Sequence, residues 1–156
     1  IMCTFPKGGE REARGGKPTH GFAGYLNECM NGFEYQAAGH MIAEGLVQDR
    51  DGYVVEGTMG NLFVQEGDRW LTPPVGRCGV AGVMRGLVME MAGPLGYRVV
   101  EQRLRPSRLL AADAAFLTNA VVGIWPIGEL DGRRLAVTPG VQAARDRVLA
   151  ILGGQA

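Results

Sequence analysis

Glu56 ends an apolar run, and further along Gly79-Val80-Ala81-Gly82 leads into a second one, Val83 to Ala92. A carboxylate beside a ring nitrogen keeps a proton there by stabilising the cation. The first turn of a helix offers unpaired N–H groups and the positive end of its dipole, and both suit a phosphate. Glycines at 79 and 82 let the backbone come close to such a group. A carboxylate at a strand end, followed by a glycine-lined helix start, suggests a site for one ligand carrying a protonated ring and a phosphate.

The spacing of the chain predicts the elements that hold these groups. Gly52 to Glu56 and Asn61 to Gln65 have strand composition, with Gly57, Thr58 and Gly60 forming the turn between them. Glu44 to Asp49 is an earlier strand, joined through the Arg50-Asp51-Gly52 turn. Trp70 to Thr72 is a short strand that stops at Pro73 and Pro74, which cannot continue a ladder. The helix from Val80 to Ala92 shows an apolar face of Val80, Val83, Met84, Leu87, Val88 and Met91, and it stops at Gly93-Pro94.

Beyond it, Tyr97 to Arg103 reads as a strand and Pro106 to Ala112 as a short helix. Ala114 to Thr118 and Val121 to Ile127 fit buried strands, and Asp131-Gly132 turns between two short ones. Gly140 to Leu152 is an amphipathic closing helix with Val141, Ala144, Val148 and Ile151 at helical spacing. Asn27 to Met41 has weaker helical spacing, interrupted by Gly32 and Gly39. Ile1 to Gly24, with six glycines and both lysines of the protein (Lys7 and Lys17), shows no periodicity and is predicted to be poorly structured. Strands predominate with helices interleaved, so the fold class is mixed α/β of the α+β kind.

A chain of 156 residues can bury one good core. Its 16 basic and 16 acidic residues cancel, which gives no attraction to nucleic acid or to an anionic membrane. No apolar run approaches the ~20 residues needed to span a bilayer, and no signal peptide is visible. Cys3, Cys29 and Cys78 lack metal-ligand or disulfide spacing and read as reduced thiols of a cytoplasmic protein. His20 and His40 are isolated and carry no role, and no metal site is expected. The chain begins with Ile1 ahead of Met2, which reads as an incomplete chain.

The pattern Glu56-x-Thr58-x-x-Asn61-Leu62-Phe63, then Thr72, then Val80-x-Gly82-Val83-x-Arg85, resembles the signature of the class IV pyridoxal-phosphate enzymes. That family contains branched-chain aminotransferases, D-amino-acid transaminases and aminodeoxychorismate lyases. The stretches E-G-T-M-x-N-L-F, C-G-V-A-G-V-M-R and A-D-A-A-F-L-T-N-A-V-V-G-I-W-P-I look most like the lyase branch. Trp70 departs from the pattern, which usually has an aliphatic residue or Phe there.

The resemblance implies the C-terminal large domain of a fold type IV enzyme, a strand-rich pseudo-barrel with flanking helices spanning residues 25–156 after the poorly structured 1–24. It implies pyridoxal 5'-phosphate as cofactor. Glu56 would face the pyridine nitrogen, the N–H groups of Val83 and Met84 would hold the phosphate, and Asn119 would contact cofactor or substrate. Arg85 could be a phosphate ligand, but one helical position further on it is expected to point away, to solvent or a structural carboxylate. Ala120 stands where aminotransferases often carry a phosphate-binding threonine, and Trp125-Pro126-Ile127 would either wall the substrate pocket or join the core.

The implied activity is conversion of 4-amino-4-deoxychorismate to 4-aminobenzoate and pyruvate, by a homodimer acting on a small molecule. The family's lysine, which links the cofactor and shuttles a proton, falls on Gly24 when Leu26-Asn27 is matched to its segment, so the catalytic residue is unknown. The smaller N-terminal domain of the family has no counterpart in this sequence. A class IV aminotransferase and a non-catalytic cofactor-binding or interaction module are the alternatives.

Overall fold

The computed structural model describes residues 44–153. Its centre is a mixed five-stranded sheet in the order β5-β4-β3-β6-β7. These strands are β3 (Asn61–Glu66), β4 (Arg69–Thr72), β5 (Arg98–Glu101), β6 (Ala114–Asn119) and β7 (Gly123–Pro126). All neighbours are antiparallel except β4 and β5, which run parallel. A parallel neighbour needs a crossover, and α1 (Val83–Ala92) supplies it.

β3 and β6 lie at the middle because their residues are apolar on both faces, the composition expected of a strand covered on both sides. Alternation splits those residues between two cores. Leu62, Val64, Ala115 and Leu117 face one cluster, which the two-stranded ribbon of β1 (Leu46–Gln48) and β2 (Val54–Gly57) closes through Leu46 and Val54. Leu109 of the short helix α2 (Pro106–Leu110) joins it, as does Leu130 of β8 (Glu129–Leu130), the strand paired with β9 (Arg133–Arg134).

Phe63, Ala114 and Phe116 face the other cluster, beneath α1 and α3 (Pro139–Gly153). Phe63 and Phe116 are register partners with rings stacked at 5.1 Å, and Trp70 meets Phe116 edge-on at 5.3 Å. Each of these fully buried aromatics contributes at least the ~1.5–3 kcal/mol of a large apolar side chain.

The helices start and stop for local reasons. Gly82, in extended conformation, precedes α1 without any side-chain cap, and Gly96 at φ 84° ends the 3₁₀ turn that follows it. Pro139 occupies the first position of α3, where its missing N–H costs nothing, and Thr138 Oγ1 accepts from the Val141 N–H at 3.4 Å.

The strands run close to where the sequence puts them: β1, β2 and β5 start later than expected, and β3, β4 and β6 each run one residue longer. The run from Val121 forms a strand only from Gly123, because the residues before it are taken up by a turn. Two helical faces differ from expectation. The helix expected from Val80 begins at Val83, so Val80 lies in the preceding loop, 66% exposed, Val83 on the first turn of α1 is 86% exposed, and Ile151 lies on the exposed last turn of α3. The expected helix over Asn27 to Met41 and the segment Ile1 to Gly24 lie outside the described residues. Among the described residues no helix is long and apolar enough to cross a membrane, and no cluster of His, Cys, Asp or Glu could hold a metal ion.

Candidate functional site

Glu56 sits near the end of β2, and its Oε2 accepts from the Val80 N–H at 3.0 Å and from Asn61 Nδ2 at 3.2 Å. Asn61, the first residue of β3, also donates from Nδ2 to the Val80 carbonyl at 2.7 Å. Its Oδ1 lies against Gly82, where a Cβ would overlap it. The carboxylate and the start of α1 are thus joined through one asparagine and one residue of the intervening loop. Gly79, at φ 94°, makes the bend that brings Val80 to the carboxylate.

The N–H of Gly82 is used locally, donating to the Val80 carbonyl at 2.9 Å. The N–H groups of Val83, Met84 and Arg85 have no acceptor among the described residues, as the first turn of an uncapped helix requires. Glu56 Oε1 likewise has no donor among them, so one carboxylate oxygen holds the loop while the other stays open. Met84 is buried and Val83 exposed, which shows that side-chain burial and an open backbone N–H coexist here.

The remaining predicted residues fall around this point. Thr118, opposite Asn61 in the β3–β6 register, is 1% exposed, and its Oγ1 has no hydrogen-bond partner among the described residues. Asn119 ends β6 with its side chain in local bonds: Nδ2 donates to the Met59 carbonyl at 3.1 Å, and Oδ1 accepts from the N–H groups of Val121 and Val122 at 2.9 and 2.8 Å. It caps a turn, the other role its residue type allows. Trp125 lies on the edge strand β7, 37% exposed, opposite Leu117.

Arg85 points to a structural carboxylate rather than to solvent. It is 6% exposed, with Nη2 3.2 Å from Glu101 Oε1 and donating to the Pro73 carbonyl at 3.2 Å. It ties α1 to the sheet edge and to the loop that carries Gly79. Sequence reasoning expected the structural carboxylate for Arg85 without naming Glu101, and it missed the role of Asn61, although that residue lies inside the motif. A cleft of about 420 Å³ lies beside this loop, lined by Tyr53, Val55, Pro74, Arg77 and Arg103 among others, and none of Glu56, Val83, Met84 or Asn119 lines it.

Two carboxylates near the sheet are held below their ordinary range. Arg108 donates to Glu66 at 2.6 Å (Nε to Oε1) and 2.9 Å (Nη2 to Oε2), and this hydrogen bonding depresses the Glu66 carboxyl. Asp49 is depressed first by the backbone N–H of Tyr53 and then by Arg103, which also stacks 3.8 Å over the Tyr53 ring. Both are structural pairs away from Glu56.

The chain matches the amino-transferase class IV family over residues 10–130 and belongs to it. That match begins upstream of Glu44, ahead of the motifs that first point to the family. The chain is 33% identical over 117 residues to the branched-chain-amino-acid aminotransferase of Escherichia coli, covering 74% of this chain and 37% of that protein. Its fold superposes on the 4-amino-4-deoxychorismate lyase of Pseudomonas aeruginosa with a TM-score of 0.67 and 36% identity, covering 76% of this chain and 43% of that one.

It also superposes on the branched-chain aminotransferase of the archaeon Thermoproteus uzoniensis, solved with norvaline, with a TM-score of 0.74 and 33% identity, covering 85% and 44%. The fold is therefore that of the C-terminal domain of the fold type IV enzymes, and the enzymes of this family depend on pyridoxal phosphate. The chain spans less than half the length of these relatives.

Proposed function

We propose that this class IV chain binds pyridoxal phosphate and serves the conversion of 4-amino-4-deoxychorismate to 4-aminobenzoate and pyruvate, in the cytoplasm and as a homodimer. The observation that carries the cofactor part is the convergence of the Glu56 carboxylate and the start of α1 through Val80 and Asn61. The residues fit the cofactor at both ends. Among the described residues Glu56 Oε1 has no donor and the N–H groups of Val83, Met84 and Arg85 have no acceptor, which leaves the one for a ring nitrogen and the others, at a positive dipole end, for a phosphate. Gly82 lets Asn61 pack directly against the backbone that enters α1, where any Cβ would overlap the Asn61 Oδ1.

The bound cofactor supplies an electron sink for the charge left on carbon when a substrate proton is removed. Glu56 would keep the pyridine nitrogen protonated, and the Val83 and Met84 N–H groups would hold the phosphate. Asn119, bonded to Met59, orients the turn at the cofactor–substrate side. The lyase reading draws on the E-G-T-M-x-N-L-F and C-G-V-A-G-V-M-R stretches, on Ala120 in place of a phosphate-binding threonine, and on the 36% identity to the Pseudomonas lyase.

A second reading, branched-chain amino acid transamination, draws on the Escherichia coli relative. The family's lysine position falls on Gly24, and neither lysine of the protein, Lys7 or Lys17, falls on that motif. This favours a third reading, a cofactor-binding module without turnover. One experiment separates the three: purified protein with added cofactor is given 4-amino-4-deoxychorismate, or glutamate with branched 2-oxo acids. Release of 4-aminobenzoate with pyruvate supports the lyase, amino transfer supports the aminotransferase, and cofactor binding with neither product supports the module.

A further inference from the structure

We infer that Asn61 is the positioning residue that couples the two ends of the cofactor site, an inference that rests on the cofactor reading above. Asn61 is 5% exposed, yet it spends no hydrogen-bonding capacity on the sheet's core. Its amide nitrogen donates to two acceptors that belong to different halves of the site: Glu56 Oε2 at 3.2 Å and the Val80 carbonyl at 2.7 Å. Both partners are acceptors, which fixes the amide's orientation with the nitrogen toward them.

The other face of the same group lies against Gly82, the residue before α1, so closely that only glycine fits. The Val80 N–H then returns to the Glu56 carboxylate at 3.0 Å and closes a ring of three bonds. Moving Asn61 moves the carboxylate that meets a pyridinium and the backbone that leads into the phosphate-binding turn. A misplacement of even ~1 Å in a positioned group is costly to a site of this kind. Asn61 acts through its two partners, the Glu56 carboxylate and the Val80 carbonyl.

Hydrogen exchange in the unliganded chain tests the coupling without any cofactor. Asn61→Asp, nearly isosteric, replaces the donor with an acceptor. The Val80 amide is expected to lose about tenfold of its protection, with a loss also expected in Glu56→Gln, while the amides of the Phe63–Phe116 ladder keep theirs. A uniform loss across the sheet, or an unchanged Val80, would overturn the inference.

Pyridoxal phosphate affinity gives the second arm. Asn61→Ala is expected to weaken binding about tenfold in the parent chain and less than threefold in a Glu56→Gln background, because its effect passes through Glu56. Equal losses in both backgrounds would mean a merely structural residue and overturn the inference. A parent chain that fails to bind pyridoxal phosphate at all would sink the cofactor reading, with the Val80 exchange still deciding the role of Asn61.

Discussion

The Val80 N–H donates to the Glu56 carboxylate at 3.0 Å, joining residues 24 positions apart in the chain. This bond sets the loop from Pro73 to Gly82 against the end of β2 and determines where α1 begins. Arg85 pins the same loop from the other side through the Pro73 carbonyl. The start of α1 is therefore held in place by the protein's own contacts, which would spare a phosphate bound there the cost of ordering it.

Two glycines of this region should respond to alanine with opposite signs. At Gly82 a Cβ overlaps Asn61 Oδ1, so Gly82→Ala is expected to cost about 1–3 kcal/mol of stability and to weaken cofactor binding. At Gly86, inside α1, a Cβ meets nothing within 4 Å, and Gly86→Ala should stabilise by about 0.5–1 kcal/mol. Urea unfolding of the two variants checks both.

Trp70 departs from the family pattern and carries a buried Nε1 with no partner among the described residues. Its ring stacks on Tyr97 at 4.5 Å, so its area is well used even though its polar atom is not. Trp70→Phe loses packing but removes an unpaired N–H that costs about 1–3 kcal/mol. The net change is expected to stay within about 1 kcal/mol, against about 3–5 kcal/mol for Trp70→Ala. Thermal melts of the two variants give the comparison.

The Arg108–Glu66 pair sets an acid limit on stability. Its hydrogen bonds hold the folded Glu66 carboxyl below its ordinary 4.5, so the unfolded chain binds the proton more readily. The contribution is fully present above 4.5 and is lost as pH falls through the depressed folded value. Glu66→Gln is expected to flatten that part of the pH profile of the urea midpoint and to leave its shape above about pH 6 unchanged.

Much of this fold is legible in the sequence because β3 and β6 are apolar on both faces, and such runs admit few other readings. The same periodicity mistakes Val83 for core, because it reports which side of a helix is apolar and not where the sheet beneath it ends. The residue type of Asn119 suggests a turn cap and the family resemblance a ligand contact, and its side chain makes the bonds of a cap. The Arg85–Glu101 contact is invisible in the sequence, since it depends on the parallel pairing that sets Thr72 opposite Glu101. The motif marks Glu56, Asn61 and Gly82 as a set, and only the fold shows that Asn61 joins the other two.

The most direct measurement is the affinity of the purified chain for pyridoxal phosphate and for pyridoxal, read from absorbance or fluorescence titrations of the parent and of Glu56→Gln. A carboxylate and a helix start gripping the two ends of one molecule should give pyridoxal phosphate a clear advantage over pyridoxal. Glu56→Gln should then cost about tenfold or more in affinity for pyridoxal phosphate, the loss of one charge-assisted bond. Equal affinity for the two ligands, together with a Glu56→Gln variant that binds like the parent, would contradict it.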